Sequence, residues 1–519
     1  MKKVLYIFLG LSLMFGCSDD ESNEPCNPSP QLETFDASSI TENTAVLNGE
    51  ITLSDCTESI TSQGFVYSTE VFAEYQTDNT VEVNGSEISA TIDDLQFNTT
   101  YYYRTYLINP LGTFYGDEII FITAEQELTY VPDDEFEQKI IEWGLDDVMD
   151  DYVITANLSE MVDIWLVAPI TDFTGIEAFV SAKNIYLFPY LNADSPYIQN
   201  FDTSNLEQLE LIEIANNSVI PTFETFDFSS NINLKSISVN GKMILESNLD
   251  LSNNTSLEFL GGCFYTVQNQ FYEIDFSNNV NLKQLNLWGC VVPELSLSNN
   301  NLVEYLGISY CEGLNELDLS GNPNLTTLYM EGTQLESNPD LSNNINLEHI
   351  RIIPQTLQTG GFLTEIDVSN MPNLLTLALE RNQLSFIDIS NNPLLTHFYL
   401  NDNQLSTLDV TQNPNLQILS FGESDLTEIN ISQNLQLEVL GATNNNLTSV
   451  DVSQHSNLQS LFLNGNQLSE LDVSNCHQGE LFLYAGENNS LSCITASQNQ
   501  IDNGQFYVDS NVQILTSCD

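Results

Sequence analysis

Leu374-Leu375-Thr376-Leu377-Ala378-Leu379-Glu380-Arg381-Asn382-Gln383-Leu384 is the stretch whose reading decides the fold. Leucines stand at its first, fourth, sixth and eleventh positions and Asn at its ninth. The frame L-x-x-L-x-L-x-x-N-x-L recurs from Leu395, Leu416, Leu437 and Leu458, each 21 residues on. Towards the N-terminus it recurs at Leu347, Leu325, Val303, Leu282, Leu257, Leu234 and Leu209, with degenerate copies near Ala182 and Met161. Fourteen turns spaced by 21 to 27 residues result, and a fifteenth, irregular turn is expected around Leu481. A period of this size marks a solenoid. No turn can bury its own leucines, but stacked turns align the same positions into one core.

The repeats resemble the leucine-rich repeat family, in its bacterial surface form with short repeats. An Asn/Cys column of Asn217, Cys290, Cys311, Asn382, Asn403, Asn445 and Asn466 is expected to complete backbone hydrogen bonds where each strand bends away. Cys290 and Cys311 then read as buried, reduced column members rather than metal ligands. Cys263, off the column, and Cys476, at a turn, also read as buried thiols.

Each repeat has a second half that mimics the first, as in Leu384-Ser385-Phe386-Ile387-Asp388-Ile389-Ser390. Two short strands per turn, hence two parallel sheets across a thin core, are expected, with very little helix. Caps are expected at both ends of the 161–492 array. Residues 128–160 form the first, with a short helix in Pro132–Gly144 that has acid in its first turn and Gly at its end. Residues 493–519 form the second, closed by a Cys493–Cys518 disulfide.

Ahead of the array, 32–125 shows strand-like runs broken by turn residues. Leu95-Gln96-Phe97-Asn98-Thr99-Thr100-Tyr101 resembles the tyrosine corner of fibronectin type III domains. That resemblance implies a small β-sandwich used as a spacer. The fold class expected for the whole chain is therefore mainly β: this sandwich, then a solenoid of strand-dominated repeats.

The N-terminus sets the expected compartment. Met1-Lys2-Lys3 precedes an uncharged, mostly apolar run from Val4 to Gly16, too short to span a bilayer. Residues 1–16 read as a signal peptide ending in Met14-Phe15-Gly16-Cys17, which resembles a bacterial lipobox; the resemblance implies lipidation of Cys17. Ser18-Asp19-Asp20-Glu21 looks like the surface-export signal of Bacteroidetes lipoproteins, and 17–31 reads as a flexible tether. The chain stops directly after its C-terminal cap, without an added sorting domain, so a lipid anchor in the outer membrane, facing the exterior, is the expected sole attachment. An exported chain keeps disulfides, and Cys26–Cys56 is a second expected pair.

Composition narrows function. Ten Lys and Arg stand against 73 Asp and Glu, for a net charge of −63. Such a surface repels phosphate backbones and anionic lipid, so no nucleic acid is expected as a partner, and no membrane contact apart from the anchor. Yet 42% of residues are hydrophobic, which excludes a disordered acidic tail.

An Asp column runs through the second half-repeats, among them Asp250, Asp318, Asp367, Asp388, Asp409 and Asp451, interrupted by Ser296 and Asn430. Like charges one rung apart must be hydrogen-bonded, cation-bridged or protonated. Two readings are open. The carboxylates bond to nearby backbone and to the Ser two residues on, or Asp367, Asp388 and Asp409 form part of a calcium ladder. No cofactor other than calcium is suggested. Asp146–Asp151 lacks EF-hand spacing and reads as a cap loop. The four His, at 349, 397, 455 and 477, form no recognisable catalytic set, and there is no P-loop, dinucleotide fingerprint or HExxH. The chain is not expected to be an enzyme.

What remains is the outward face of the first strands. Its columns hold Trp165, Tyr186, Phe188, Phe259, Trp288, Tyr305, Tyr329, His349, Arg351, His397, Tyr399 and Phe462. Aromatics exposed on an acidic solenoid suit binding, although they also suit strands as such. The last two basic residues, Arg351 and Arg381, fall on neighbouring turns with His349, His397 and Tyr399. These five residues form the candidate ligand site, unless the arginines only relieve acid repulsion. The expected function is non-catalytic binding or adhesion at the cell surface, to an extracellular protein. A glycan-capture lipoprotein of a nutrient uptake system is the alternative.

Overall fold

The computed structural model describes residues 29–54, 59–189, 197–215, 220–245, 249–266, 274–333, 335–354, 361–477 and 479–518. The expected signal peptide, the lipobox with Cys17, the Cys26–Cys56 pair and Asn217 lie outside the described residues. The chain divides into two compact units, residues 1–127 and 128–519.

In the first unit, alternation of apolar and polar residues drives two antiparallel sheets. The strands are β1 (Gln31–Ser38), β2 (Ala45–Thr52), β3 (Ser62–Ser68), β4 (Asn79–Glu82), β5 (Glu87–Ile92), β6 (Thr100–Asn109), β7 (Gly112–Tyr115) and β8 (Ile119–Ile122). One sheet has the order β1-β2-β5; the other runs β4-β3-β6-β7, with β8 also on β6. Leu47 and Ile88 of the first meet Phe65, Tyr103 and Phe121 of the second in a shared core. Tyr101 accepts the N–H of Gln96 on its phenol oxygen at 2.9 Å, pinning the corner before β6.

In the second unit, a parallel sheet of 18 strands runs from Asp163–Leu166 to Gln505–Tyr507. Leu374, Leu377, Leu379 and Leu384, which define the repeat frame, are all fully buried. One continuous core extends from Val131 to Ala496. Among the described residues helix is scarce: Asp134–Glu142, Thr155–Leu158 and Gln498–Asn503, with a 3₁₀ turn at Ile176–Ala178. Among the described residues no helix is long and apolar enough to cross a membrane.

The helical cap is tied to the array by carboxylates. Asp133 caps the first helix by accepting from Glu135 N and Phe136 N. Its other oxygen accepts from the N–H groups of Thr171 and Asp172 at 2.9 and 3.0 Å. Glu137 is fully buried and accepts from Asp150 N and Asp151 N, both at 2.8 Å. This buried carboxylate holds the acidic loop Asp146–Asp151.

The second sheet is mostly missing among the described residues. Isolated bridges such as Ser296–Asp318 and Asp409–Asn430 mark its course. Away from the first-strand register, short parallel ladders form near the N-terminal end, from Tyr197–Ile198, Thr222–Phe223 and the ends of Ser236–Leu245 and Phe259–Thr266, and at the C-terminal end, from Leu471–Asp472, Cys493–Thr495 and Gln513–Leu515. Side chains explain this. Each column Asp takes the backbone N–H two residues on; Asp388 Oδ1 accepts from Ser390 N at 2.9 Å. The carbonyl after the Asp is taken by an Asn one turn on; Asn413 Nδ2 donates to Ile389 O at 3.0 Å. Groups that a second strand ladder would pair are therefore already spoken for.

That Asn belongs to a fully buried ladder of Asn254, Asn279, Asn300, Asn322, Asn344, Asn392, Asn413 and Asn434, which the repeat consensus did not single out. His455 and Cys476 continue it: His455 Nε2 lies 3.1 Å from Ile431 O, and the Cys476 thiol faces Val452 O. Gln500 ends it by donating to Val473 O and Cys476 O. The expected Asn column is a second ladder: Asn403 and Asn466 each donate one turn back, to Leu379 O and Ala442 O.

Cys493 and Cys518 are joined by a disulfide across 25 residues. Cys263 and Cys290 are joined as well, across 27 residues, which corrects the expectation of two buried thiols. The strand Phe259–Thr266 continues well past the three-residue length of the regular turns. Cys263 is thereby carried beneath Cys290 on the next turn, with Cα atoms 5.5 Å apart. Cys311 and Cys476 are buried thiols.

Candidate functional site

Strand register sets the outward columns. Each turn of the sheet offsets the chain by one rung, so equivalent residues stand side by side. One column runs unbroken from Trp165 and Tyr186 through Tyr329, Arg351, Ala378 and Tyr399 to Phe462, Tyr484 and Tyr507. Beside it, His349 and His397 share a column with Thr376 between them. Arg351 and Tyr399 are thus two rungs apart, and so are the two histidines. The His397 and Tyr399 rings lie 6.5 Å apart, nearly parallel.

Arg381 is not on this strand face. It sits at the exit turn with a positive φ of 62°, as do Tyr310, Asp402, Glu423, Asn444 and Glu487. These left-handed residues precede the ladder position of each turn and throw their side chains into a polar ridge along the sheet's edge. Glycine holds that post at Gly332 and Gly465.

Both arginines are paired. Arg351 Nε lies 3.2 Å from Glu331 Oε2, and Tyr310 Oη donates to Glu331 Oε1 at 2.9 Å. Arg381 Nε lies 4.0 Å from Asp402 Oδ2. The bond to Glu331 pushes the Tyr310 phenol up, while Arg351 and Arg381 pull it down. Burial, with Glu423, pushes the Asp402 carboxyl up against the pull of Arg381. His349, Arg351, His397 and Tyr399 stand on neighbouring rungs of the strand face, Arg381 stands off it at the exit turn, and both cations face carboxylates. Each arginine offsets the charge of a neighbouring carboxylate.

Glu331 and Tyr310 were missed, yet Tyr310 stands seven residues after Val303, the offset that places Arg381 after Leu374. Tyr484 and Tyr507 were missed because Glu480 and Asn503 replace the first-position leucine of the last two turns. With Phe462 they form a stack: centroids 5.3 Å apart for Phe462–Tyr484 and 4.3 Å for Tyr484–Tyr507. At the other end Trp165 stacks on Tyr186 at 3.9 Å.

The Asp column is a row of Asx turns. Hydrogen bonds from Ser252, Ser320, Ser369 and Ser453 hold Asp250, Asp318, Asp367 and Asp451 below the usual carboxylate range. Asp388 and Asp409 are held down in the same way by Ser390 and Thr411. The residues of the calcium reading spend one oxygen each on their own turn. Among the described residues no three His, Cys, Asp or Glu side chains are gathered to hold a metal ion.

No protein-family model matches the chain, and no curated protein matches it. Among solved structures it is similar to the functional domain of InlJ from Listeria monocytogenes, which includes a cysteine ladder. That likeness has 23% identity, covers 73% of this chain and 77% of that one, and has a TM-score of 0.55. It is also similar to the leucine-rich repeat protein LIC12759 from Leptospira interrogans, at 17% identity over 70% of this chain and 92% of that one, with a TM-score of 0.51. Likeness at this level shows the fold: a leucine-rich repeat solenoid.

Proposed function

We propose that this chain is a surface-displayed, non-catalytic binding protein that takes an extracellular protein on the outer face of its parallel sheet. One observation carries the reading. The outward column is continuous in register from Trp165 to Tyr507, and it presents Trp165, Tyr186, Tyr329, Arg351, Tyr399, Phe462, Tyr484 and Tyr507, with small or polar residues such as Ser238, Gly307 and Ser420 between them. Trp165 and Tyr507 are each about half exposed. Aromatic and Arg anchors on a flat, preorganised face are what interface hot spots are made of. The pairing of Arg351 with Glu331 presets its orientation for a partner that brings its own carboxylate.

The first unit serves as a spacer of fibronectin type III-like form; its two packed sheets and the Gln96–Tyr101 corner support that reading. Cys17 carries the lipid that anchors the chain in the outer membrane, as the apolar run ending in Gly16 suggests.

The test immobilises the full chain and screens a panel of purified extracellular matrix and host surface proteins. The double variant Arg351→Ala with Tyr399→Ala should weaken the best binder at least tenfold, with Tm within a few degrees of the parent. An unchanged affinity would move the site off this face.

A further inference from the structure

We propose that the C-terminal end of the solenoid carries a binding subsite for a neutral carbohydrate, separate from the Arg351 cluster. Two independent features meet there. The first is the ring stack Phe462–Tyr484–Tyr507, with interplanar angles of 19° and 9°. Its three residues occupy consecutive rungs of one column. Tyr507 belongs to the last strand of the sheet. One face of its ring meets Tyr484; among the described residues no further rung of this sheet lies beyond the other face, and Tyr507 is about half exposed. At the opposite end of the stack the preceding rung is Gly441, which has no side chain to cover Phe462. A pyranose presents a face of C–H groups, and such groups are drawn to the negative face of an aromatic ring.

The second feature is a polar cleft of 840 Å³ on the exit turns of the same strands, lined among others by Asn444, Asn446, Gln467, Glu487, Asn489 and Asp509. Asp509 follows Tyr507 by two residues, and Glu487 follows Tyr484 by three, so cleft and stack adjoin along the chain. Part of the lining is preset: Glu487 N donates to Asp509 Oδ2 at 2.8 Å, and Gln467 Nε2 donates to Asn446 Oδ1 at 3.0 Å. Amides offer paired donors and acceptors and carboxylates offer paired acceptors, which match the vicinal hydroxyls of a sugar. Asn489 is exposed at the rim.

Charge selects the ligand class. No Lys or Arg follows Arg381 in the sequence. A phosphate, sulfate or uronic acid would meet amides and the carboxylates of Glu487 and Asp509 here but no cation, and would be repelled by the carboxylates. A neutral polyhydroxylated ligand meets no such barrier, and the aromatic stack gives it an apolar face to lie on.

Isothermal titration of the full chain with cellohexaose, mannohexaose and xylohexaose tests this. At least one should bind, and sulfated or uronate oligosaccharides of similar length should not. Tyr507→Ala should weaken binding at least tenfold and Tyr507→Phe should keep it, since stacking needs the ring and not the hydroxyl. Asn489→Ala reads the cleft from an exposed position without disturbing the stack, and should weaken binding even if Tyr507→Ala loosens the last turn. Arg351→Ala should have no effect, which separates this subsite from the protein-binding face. No binding of any neutral hexasaccharide, binding of cationic peptides alone, or binding unchanged in both Asn489→Ala and Tyr507→Ala would overturn the proposal.

Discussion

Asn413 Nδ2 donates to the backbone carbonyl of Asn392, one turn earlier, at 2.9 Å. The same relation repeats from Asn434 to Asn413 and from Asn254 to Asn231. Each rung thus caps the turn before it, and the column needs a donor more than an acceptor. The Asn413 side-chain Oδ1 itself is buried without a hydrogen-bond partner.

Replacing that donor should be costly. Asn413→Leu removes one of the two donors of each of two buried carbonyls, Ile389 O and Asn392 O, which keep only Asn392 N and Leu395 N, and should lower stability by about 1–2 kcal/mol. Asn413→Asp should be worse, since it sets a charge against two carbonyls with no donor. Urea midpoints measure both; an Asp variant as stable as the parent would show that the ladder does not hold the turns.

The Asx turns set a pH dependence. Hydrogen bonds from Ser390 hold the Asp388 carboxyl below its usual range, so the folded state binds its proton less readily than the unfolded chain. That contribution is complete above about pH 4, the unfolded value, and is lost as pH falls through the lowered folded value. The stability difference between the parent and Asp388→Ala should therefore be largest above about pH 4 and shrink below it. Denaturant melts across that window check the sign.

Cysteine chemistry should divide cleanly. Burial pushes the Cys476 thiol up to about 12, so it should resist iodoacetamide in the native chain at neutral pH. Peptide mapping should find Cys263 linked to Cys290 and Cys493 to Cys518. Reducing the latter opens a 25-residue loop and should cost about 3 kcal/mol in the chain-entropy model.

The exit turns make opposite predictions at two positions. Gly465 has φ 69°, and a Cβ there would press on the Asn444 side chain, so Gly465→Ala should destabilise by about 1–2 kcal/mol. Glu487 holds the same left-handed post with a side chain, at φ 58°. Glu487→Gly should be neutral or stabilising by a few tenths of a kcal/mol. Thermal melts should show Tm lowered in Gly465→Ala and not lowered in Glu487→Gly.

Labelled palmitate should enter the parent protein and fail to enter Cys17→Ala. Protease added to intact cells should digest the parent; protection equal to that of a periplasmic control would argue against surface display.

The period of the leucines determined the solenoid by itself, because only stacking can bury positions such as Leu374 and Leu377 that recur every turn. The helical cap was legible for a local reason: Asp133 and the acid after it are a helix start written within four residues. The bonds of the Asp column were legible too, since a side chain reaching two residues on needs no tertiary structure. Three things were decided only in space. The second sheet gave way to side-chain ladders, because whether a backbone group pairs with a strand or with an Asn depends on the turn beside it. Cys263 met Cys290 because one strand overran its usual length. The arginines found Glu331 and Asp402, and Tyr484 found Tyr507, across 20 to 23 residues of chain. Those pairings follow from rung spacing, which exists only once the turns have stacked.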